Sequence, residues 1–503
     1  MLFTDPRSTG GGAGEGPMAR GWRQGVGATV AAQQAVRTTR RPRVLPALLA
    51  LVALIAAACG SKLDEQARQE AIANEAEVEG TSSVNGETAA GEFPMVGTHE
   101  LKCSPGDGDN TDPGIQGVTA DTITIGTMAD ISGPQPGLMQ PMWDAMDAFV
   151  NLCNRYGGIN GRQLELVKID TAMFEVAGAA AQACQDVFVT VGDGVVFDAD
   201  GAQVQVDCGQ VSVPGFTATA EKALSDLMWQ AIPNPTNVFP AGPGKYISEQ
   251  YPEEVKKAAM FYIPVGTTEL NHDRMKEAYE EIGFEYIAND TINIVETEWK
   301  AVIEGLRDSG AEYVYDWADV VSAAQMVEAM EEVGWRPTVV DGGQQVYDQD
   351  LIEIAGDAAE GMLVYVTTYP FEEAEEGTAV QVYMDELAEL EGSPEPAGLG
   401  VQGFSSAMLF AEAMHSLGND ISMENLADAL SGITEWDGGG MHVPTNPADN
   451  SRPDCFMYMR VEGGQFVRHF PETREDGDVN GFVCYDDTII ELDQDIAQGA
   501  SAG

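Results

Sequence analysis

The stretch from residue 118 to 170, VTADTITIGTMADISGPQPGLMQPMWDAMDAFVNLCNRYGGINGRQLELVKID, contains one complete unit of the fold. Thr122 to Gly126 alternates hydroxyl and apolar side chains, which is the period of a strand. Met142 to Asn154 repeats apolar residues at helical spacing, and Leu164 to Ile169 returns to strand character. A strand, a helix and a second strand in that order predict a parallel pair joined by a right-handed crossover.

Working outward, the alternation continues. Helix Ala177 to Phe188 and strand Gly194 to Phe197 extend the first set. Ile232-Pro233-Asn234-Pro235 then interrupts it, because two prolines favour extended backbone and suit a crossing between lobes. A second set follows: helix Tyr246 to Lys257, strand Ala258 to Ile263, helix His272 to Ile282, strand Tyr286 to Ile294 and helix Trp299 to Ser309. Strand Tyr313 to Asp316, helix Val320 to Val333 and strand Thr338 to Asp341 complete it. Strand Met362 to Thr368 runs into a second crossing at Tyr369-Pro370. Helices Ala379 to Leu390, Phe404 to Leu417 and Met423 to Leu430 return the chain to the first lobe, and Cys455 to Arg460 with Gln465 to His469 reads as a late hairpin. The expected organisation is α/β, with two doubly wound parallel-sheet lobes joined by a three-segment hinge. Residues 118–234 and 371–440 form the first lobe, and 235–370 and 441–487 the second. A tail at 488–503 is expected to be disordered.

The 503 residues hold 81 acidic and 26 basic side chains, a formal charge of -55. Seven Arg against Asp5 and Glu15 make residues 1–58 locally +5, so the remainder carries -60. Such a surface repels nucleic acid and anionic lipid. Arg37, Arg40, Arg41 and Arg43 precede the apolar run from Val44 to Ala58, too short to span a membrane comfortably and typical of an export signal. Ala56-Ala57-Ala58-Cys59-Gly60-Ser61 reads as a lipid attachment site at Cys59, which would hold the protein on the outer face of the cell membrane. The late position of this signal places the expected start at Met18 or beyond, and residues 59–117 read as an acidic, polar linker. Outside the cytoplasm the other six cysteines are expected to pair. Predicted neighbourhood favours Cys103 with Cys153, Cys184 with Cys208, and Cys455 with Cys484.

Several segments in order resemble the leucine/isoleucine/valine-binding protein family, the type I periplasmic binding proteins that serve ABC importers. They are Ile125-Gly126 followed by Ser132-Gly133-Pro134, then Gly157-Gly158-Ile159-Asn160-Gly161-Arg162, and above all Ile354 to Val364, IAGDAAEGMLV. The resemblance spans roughly residues 118 to 470 and implies a type I periplasmic-binding fold, with a monomer closing on a small-molecule solute and handing it to permease and ATPase subunits.

The same resemblance implies where the solute sits. The loop after the third strand, where the family places a carboxylate-binding Ser, reads Asp198, Ala199, Asp200, Gly201 and Ala202, with Gly201 at the matching position. Phe216 and Thr217 match a second contact segment. The second lobe offers Thr268, Glu269, Asp316, Trp317, Asp319, Gln344 and Gln345, without the Glu that holds an ammonium group near position 343 or 344 in the family. Leu138 falls where the family often has an aromatic ring, and Phe404 is expected to close the pocket. These departures point to an amide, urea-like or cationic solute before a standard α-amino acid. A ligand-sensing receptor of the same fold is the alternative.

Asp476, Asp478, Asn480 and Asp487 follow calcium-loop spacing but lack helical flanks, and read first as an Asp/Gly turn. The five His show no metal spacing, and neither a nucleophile elbow nor a P-loop occurs, so neither cofactor nor catalysis is expected.

Overall fold

The computed structural model describes residues 93–497 apart from 265, 294 and 318, and the side chains of Asp316 and Trp317 also lie outside the described ones. The expected export signal and the expected lipid attachment site at Cys59 fall outside this range.

The first residues described are not linker. Strands β1 (Met95–Val96) and β2 (His99–Glu100) form a small antiparallel ladder. Val96, Leu101 and Cys103 are buried in the first core. A polar, acidic composition hides three apolar anchors spaced along this segment, so 93–117 wraps the first lobe and does not hang from it.

Strand β3 (Thr122–Ala129) is followed by helix α1 (Gln140–Arg155) and strand β4 (Gln163–Asp170), which pairs in parallel with β3 along its full length. Met142, Met146, Phe149 and Cys153 make the buried stripe of α1, at the spacing of a helix that packs on a sheet. Helix α2 (Val176–Asp186), strand β5 (Val189–Val191), helix α3 (Ala199–Cys208) and strand β6 (Ser212–Val213) complete a four-stranded parallel sheet in the order β4-β3-β5-β6. The third strand therefore lies five residues before its expected start at Gly194. Val187, Phe188 and Val189 follow an alanine-rich helix without a turn residue, and that apolar continuity disguises the change of period.

Strand β7 (Val238–Pro240) and helix α4 (Gly242–Gln250) enter the second lobe. Helix α4 ends before Pro252, which cannot donate a helical hydrogen bond, so the expected continuation to Lys257 is broken. There follow β8 (Ala258–Tyr262), α5 (Gly266–Glu281), β9 (Tyr286–Thr291), α6 (Trp299–Ser309), β10 (Tyr313–Trp317), α7 (Val320–Val333), β11 (Val339–Asp341), α8 (Gln349–Ala355) and β12 (Leu363–Val366). Helices α9 (Ala379–Ala388), α10 (Gly398–Leu417) and α11 (Met423–Ser431) pack back on the first lobe. Gly400 and Gly403 let α10 approach its neighbours closely: a Cβ on Gly400 would lie 2.0 Å from the Tyr383 hydroxyl, and one on Gly403 3.2 Å from the Met142 sulfur. Helix-weak glycines also hid the first turns of α10 from the sequence.

Strands β13 (Asp454–Glu462), β14 (Gln465–Phe470) and β15 (Val483–Tyr485) join the second sheet, whose order is β14-β13-β12-β11-β10-β8-β9 with β15 beside β13. Its β8 to β12 strands run parallel and β13 to β15 antiparallel. Strand β16 (Ile489–Glu491) pairs with β7, and Thr488 and Leu492 are buried, so the expected disordered tail is folded through residue 497. Its apolar residues are too few to show a period. All three expected bridges form, joining Cys103 to Cys153, Cys184 to Cys208 and Cys455 to Cys484.

Each lobe has its own core. Trp229, Ala231, Tyr369 and Met441 belong to the first, and Ala241, Val366 and Val443 to the second, so the chain crosses three times. Phe404 belongs to the first core, not to a pocket: it is fully buried with its ring edge-on to Phe149 at 5.7 Å. Its expected role fails because α10 starts six residues earlier, which places position 404 about two turns into the helix, among its buried residues. Phe404→Ala should cost about 3 to 5 kcal/mol of stability in chemical denaturation and leave solute affinity of the folded protein intact; lost affinity at full stability would return Phe404 to the site.

Asp341 is fully buried at the end of β11, accepting hydrogen bonds from the Gly343 N–H (3.0 Å) and the hydroxyls of Tyr313 (3.2 Å) and Tyr458 (3.0 Å). Burial nonetheless raises its carboxyl from 3.8 to about 6. The folded state thus holds this proton more tightly than the unfolded chain, so its contribution to stability is greatest at low pH and falls between about pH 4 and 6. Urea denaturation across that window should show a shallower fall for Asp341→Asn, and an unchanged slope would remove Asp341 as a source.

Candidate functional site

A cleft of about 230 Å³ opens between the lobes. Its first-lobe wall carries Leu138, Met139, Met173, Val196 and Phe216, and its second-lobe wall Thr268, Arg274, Asp319, Gln344 and Gln345. The floor is made by the crossings themselves: Ile232 to Pro235, Thr367 and Thr368, and Arg452 to Phe456. Strand ends and the loops after them build most of this surface, as parallel sheets do.

Several contacts bridge the lobes, among them the Gly398 N–H to the Tyr347 carbonyl at 3.4 Å and the Arg468–Glu373 ion pair, and two lie across the cleft rims. Gln135 donates its side-chain N–H to Asp319 at 2.7 Å, and Arg274 donates Nη1 to the Ala218 carbonyl at 2.6 Å. Asp319 caps α7, accepting from the N–H groups of Val321 (3.0 Å) and Ser322 (3.1 Å) and from the Ser322 hydroxyl (2.8 Å). Its carboxylate is therefore fixed in direction before Gln135 meets it.

Of the residues expected at the site, Leu138, Phe216, Thr268, Asp319, Gln344 and Gln345 line the cleft. Thr268 gives its hydroxyl to the Ile263 carbonyl, and Gln344 accepts the Thr367 hydroxyl at 3.0 Å. Glu269 does not line it.

The loop carried over at 198–202 does not face the solute space, because the misplaced third strand shifted the loop with it. The segment that follows β5 is Gly192 to Val196, and Val196 is the residue in the wall. Asp198 is buried, accepting the backbone N–H groups of Ala218 at 2.8 Å and Thr219 at 3.2 Å, and burial raises its carboxyl to about 6. Asp200 is exposed on α3. Gly201 and Ala202 are buried in α3, where a Cβ on Gly201 would come within 3.3 Å of Ala180 on α2. Thr217 is fully buried with its hydroxyl given to Gln230 at 2.9 Å.

The Asp-rich loop is a turn. Thr473 donates its hydroxyl to Asp476 at 2.8 Å, and Asp478 accepts the Cys484 N–H at 2.9 Å. Among the described residues no group of His, Cys, Asp or Glu has the arrangement to hold a metal. A Ser–His pair does occur, Ser405 to His442 at 2.9 Å, but it is buried at the hinge. His442 Nδ1 donates to the Val443 carbonyl at 2.8 Å, which makes Nε2 the acceptor, and Ser405 accepts the Trp436 indole N–H at 3.0 Å. Every atom of that pair is spoken for, and burial pulls the imidazole down to about 4.

The sequence missed Gln135, Arg274, Tyr347, Asp348 and Arg452, all of which line the cleft. For the two arginines a signal existed: cations are scarce in this chain.

Two α/β lobes, three crossings and a cleft floored by the crossings define a hinged binding protein. The family model described as periplasmic binding protein matches residues 122–465, and the chain belongs to that family. It is similar to the Leu/Ile/Val-binding protein homolog 2 of Brucella abortus, 26% identical over 302 residues that cover 57% of this chain and 77% of that one. Among solved structures it resembles a fatty acid ABC transporter substrate-binding protein from Thermomonospora curvata (TM-score 0.61, 17% identity, 80% of this chain and 98% of that one). A leucine-binding protein from Thermotoga maritima gives a TM-score of 0.58 at 16% identity, over 69% of this chain and 98% of that one.

Removing one bridging contact should loosen closure. Gln135→Ala is expected to weaken solute binding by about 1 kcal/mol, roughly fivefold, without lowering the melting temperature of the solute-free protein. Titration calorimetry checks it, and unchanged affinity would mark the contact as incidental.

Proposed function

We propose that this chain is the exported, lipid-anchored solute-binding component of an ABC importer, held to the outer face of the membrane through Cys59 and delivering its solute, as a monomer, to permease and ATPase subunits. The observation that carries this reading is the interlobe cleft: its floor is the hinge, and its rims meet at Gln135–Asp319 and Arg274–Ala218, so occupancy and lobe closure are the same event. Among the described residues no helix is long and apolar enough to cross a membrane, and attachment through a lipid needs none.

The fold does not choose the solute, since relatives named for leucine and for fatty acid share it. The wall does restrict it. Leu138, Met139, Phe216, Phe239, Tyr365 and Phe456 favour a solute with a substantial apolar body. This displaces the small amide or urea-like solute, whose support came in part from the loop at 198–202. A cationic solute remains the second reading, favoured by Asp348, which lines the cleft while capping α8.

Thermal unfolding of the full chain against a panel of monocarboxylates, primary amides, amines and amino acids tests the reading. A ligand present at 100 times its dissociation constant should add about 2.7 kcal/mol and should emerge chemically unchanged. A panel without a single stabilising member, or turnover of one, would sink the proposal.

A further inference from the structure

We infer that the cleft takes an organic anion, with its charged head held at Arg452 and Arg274 and its body against the apolar wall. The inference rests on the reading of the cleft as the solute site and goes beyond it in naming the class of solute.

In a chain with 81 acidic and 26 basic residues, most cations have an acid at hand. The two arginines of the cleft have acids nearby, but among the described residues neither is held in an ion pair. Arg452 stands on the third crossing, immediately before β13, with Nε buried and without a hydrogen-bond partner among the described residues. The carboxylate that acts on it, Asp454, is already engaged by the Gly242 N–H at 2.6 Å and the Thr488 hydroxyl at 2.5 Å.

Arg274, on α5, is only 2% exposed. Two of its donors go to neutral acceptors, the carbonyls of Ala218 at 2.6 Å and Ala497 at 3.4 Å, while its Nε is buried and unpartnered among the described residues. The acids that act on it from a distance are Asp198, Glu221 and Asp273. Asp198 is taken up by two backbone N–H groups, and Asp273 is paired with His272 at 2.8 Å.

A desolvated guanidinium without a directly paired carboxylate is costly, and burial holds both below the usual arginine range although nearby acids act the other way. An anion entering the cleft would remove that cost. A carboxylate suits the planar donor fork best, because its two oxygens can take two parallel N–H groups. Of the three acids lining the same cleft, Asp319 already accepts from four donors and Asp454 from two, while Asp348 accepts the Asp350 N–H at 3.0 Å and is the one acid left with acceptor capacity against the two arginines. Leu138, Phe216, Phe239, Pro243, Tyr365 and Phe456 leave the rest of the space apolar.

The test uses the full chain and matched probes: octanoate and benzoate, their primary amides, and octylamine and benzylamine, titrated by calorimetry. Each acid should bind at least about tenfold more tightly than its amide. Arg452→Gln should abolish that preference while leaving the amides within about twofold. If that variant does not fold, Arg452→Lys keeps the charge without the fork, and the ranking by the unaltered protein stands as a test by itself. Acids no better than amides would overturn the inference while the binding-protein reading survives. Amines preferred over both would overturn it in favour of Asp348. Silence from all three classes would overturn the inference together with the reading beneath it.

Discussion

Three passages of chain between the lobes are tied to one another by buried polar bonds, and the rest of the molecule is arranged around that knot. Thr445 on the third passage gives its hydroxyl to the Ala231 carbonyl on the first at 2.7 Å, and the Tyr369 N–H on the second meets the Met441 carbonyl on the third at 2.7 Å. Ser405, Trp436 and His442 close the set. In a site shielded from water, breaking any of these leaves a polar group stranded, at a cost of about 1 to 3 kcal/mol. The lobes can turn about this knot, but separating them would strand several groups at once.

The knot is also the floor of the cleft, which links its chemistry to its mechanics. Ile232 to Pro235, Thr368 and Arg452 belong to the passages and to the solute space at once. A solute that touches them acts where a small displacement becomes a large one at the rims, where Gln135 and Asp319 meet. Only a difference in affinity between open and closed arrangements can drive such a change. Contacts shared by floor and rim supply that difference.

The alternation of β3, α1 and β4 was legible because each element shows its period in full within one lobe. What escaped was governed by packing. The run through Val187 and Val189 carries no turn residue, so helix and strand merge in one dimension though they separate in three. That shift of a few residues moved the solute loop onto the first turns of α3 and sent Asp198, Gly201 and Ala202 into the lobe's interior. Phe404 and Thr217 have side chains suited to either a core or a pocket, and only their neighbours, Phe149 and Gln230, decide between the two. Arg274 and Arg452 lie 178 residues apart in sequence and share a cleft only through the topology. Cysteine pairing was legible because each bridge closes elements that follow one another closely.

The segment from residue 93 to 117 is pinned by the Cys103–Cys153 bridge to α1, by the bond from the Thr98 N–H to the Gly439 carbonyl, and by Arg162, whose Nη2 reaches the Thr111 carbonyl. All of these attachments are to the first lobe. Mechanically, that makes the first lobe the stator and the second the rotor: whatever pulls on residue 93 loads α1 and the sheet behind it before it reaches the second lobe. The same segment also touches the knot, where the His99 ring stands edge-on to the Trp436 indole at 4.9 Å, so strain along it is delivered to the hinge as well as to α1.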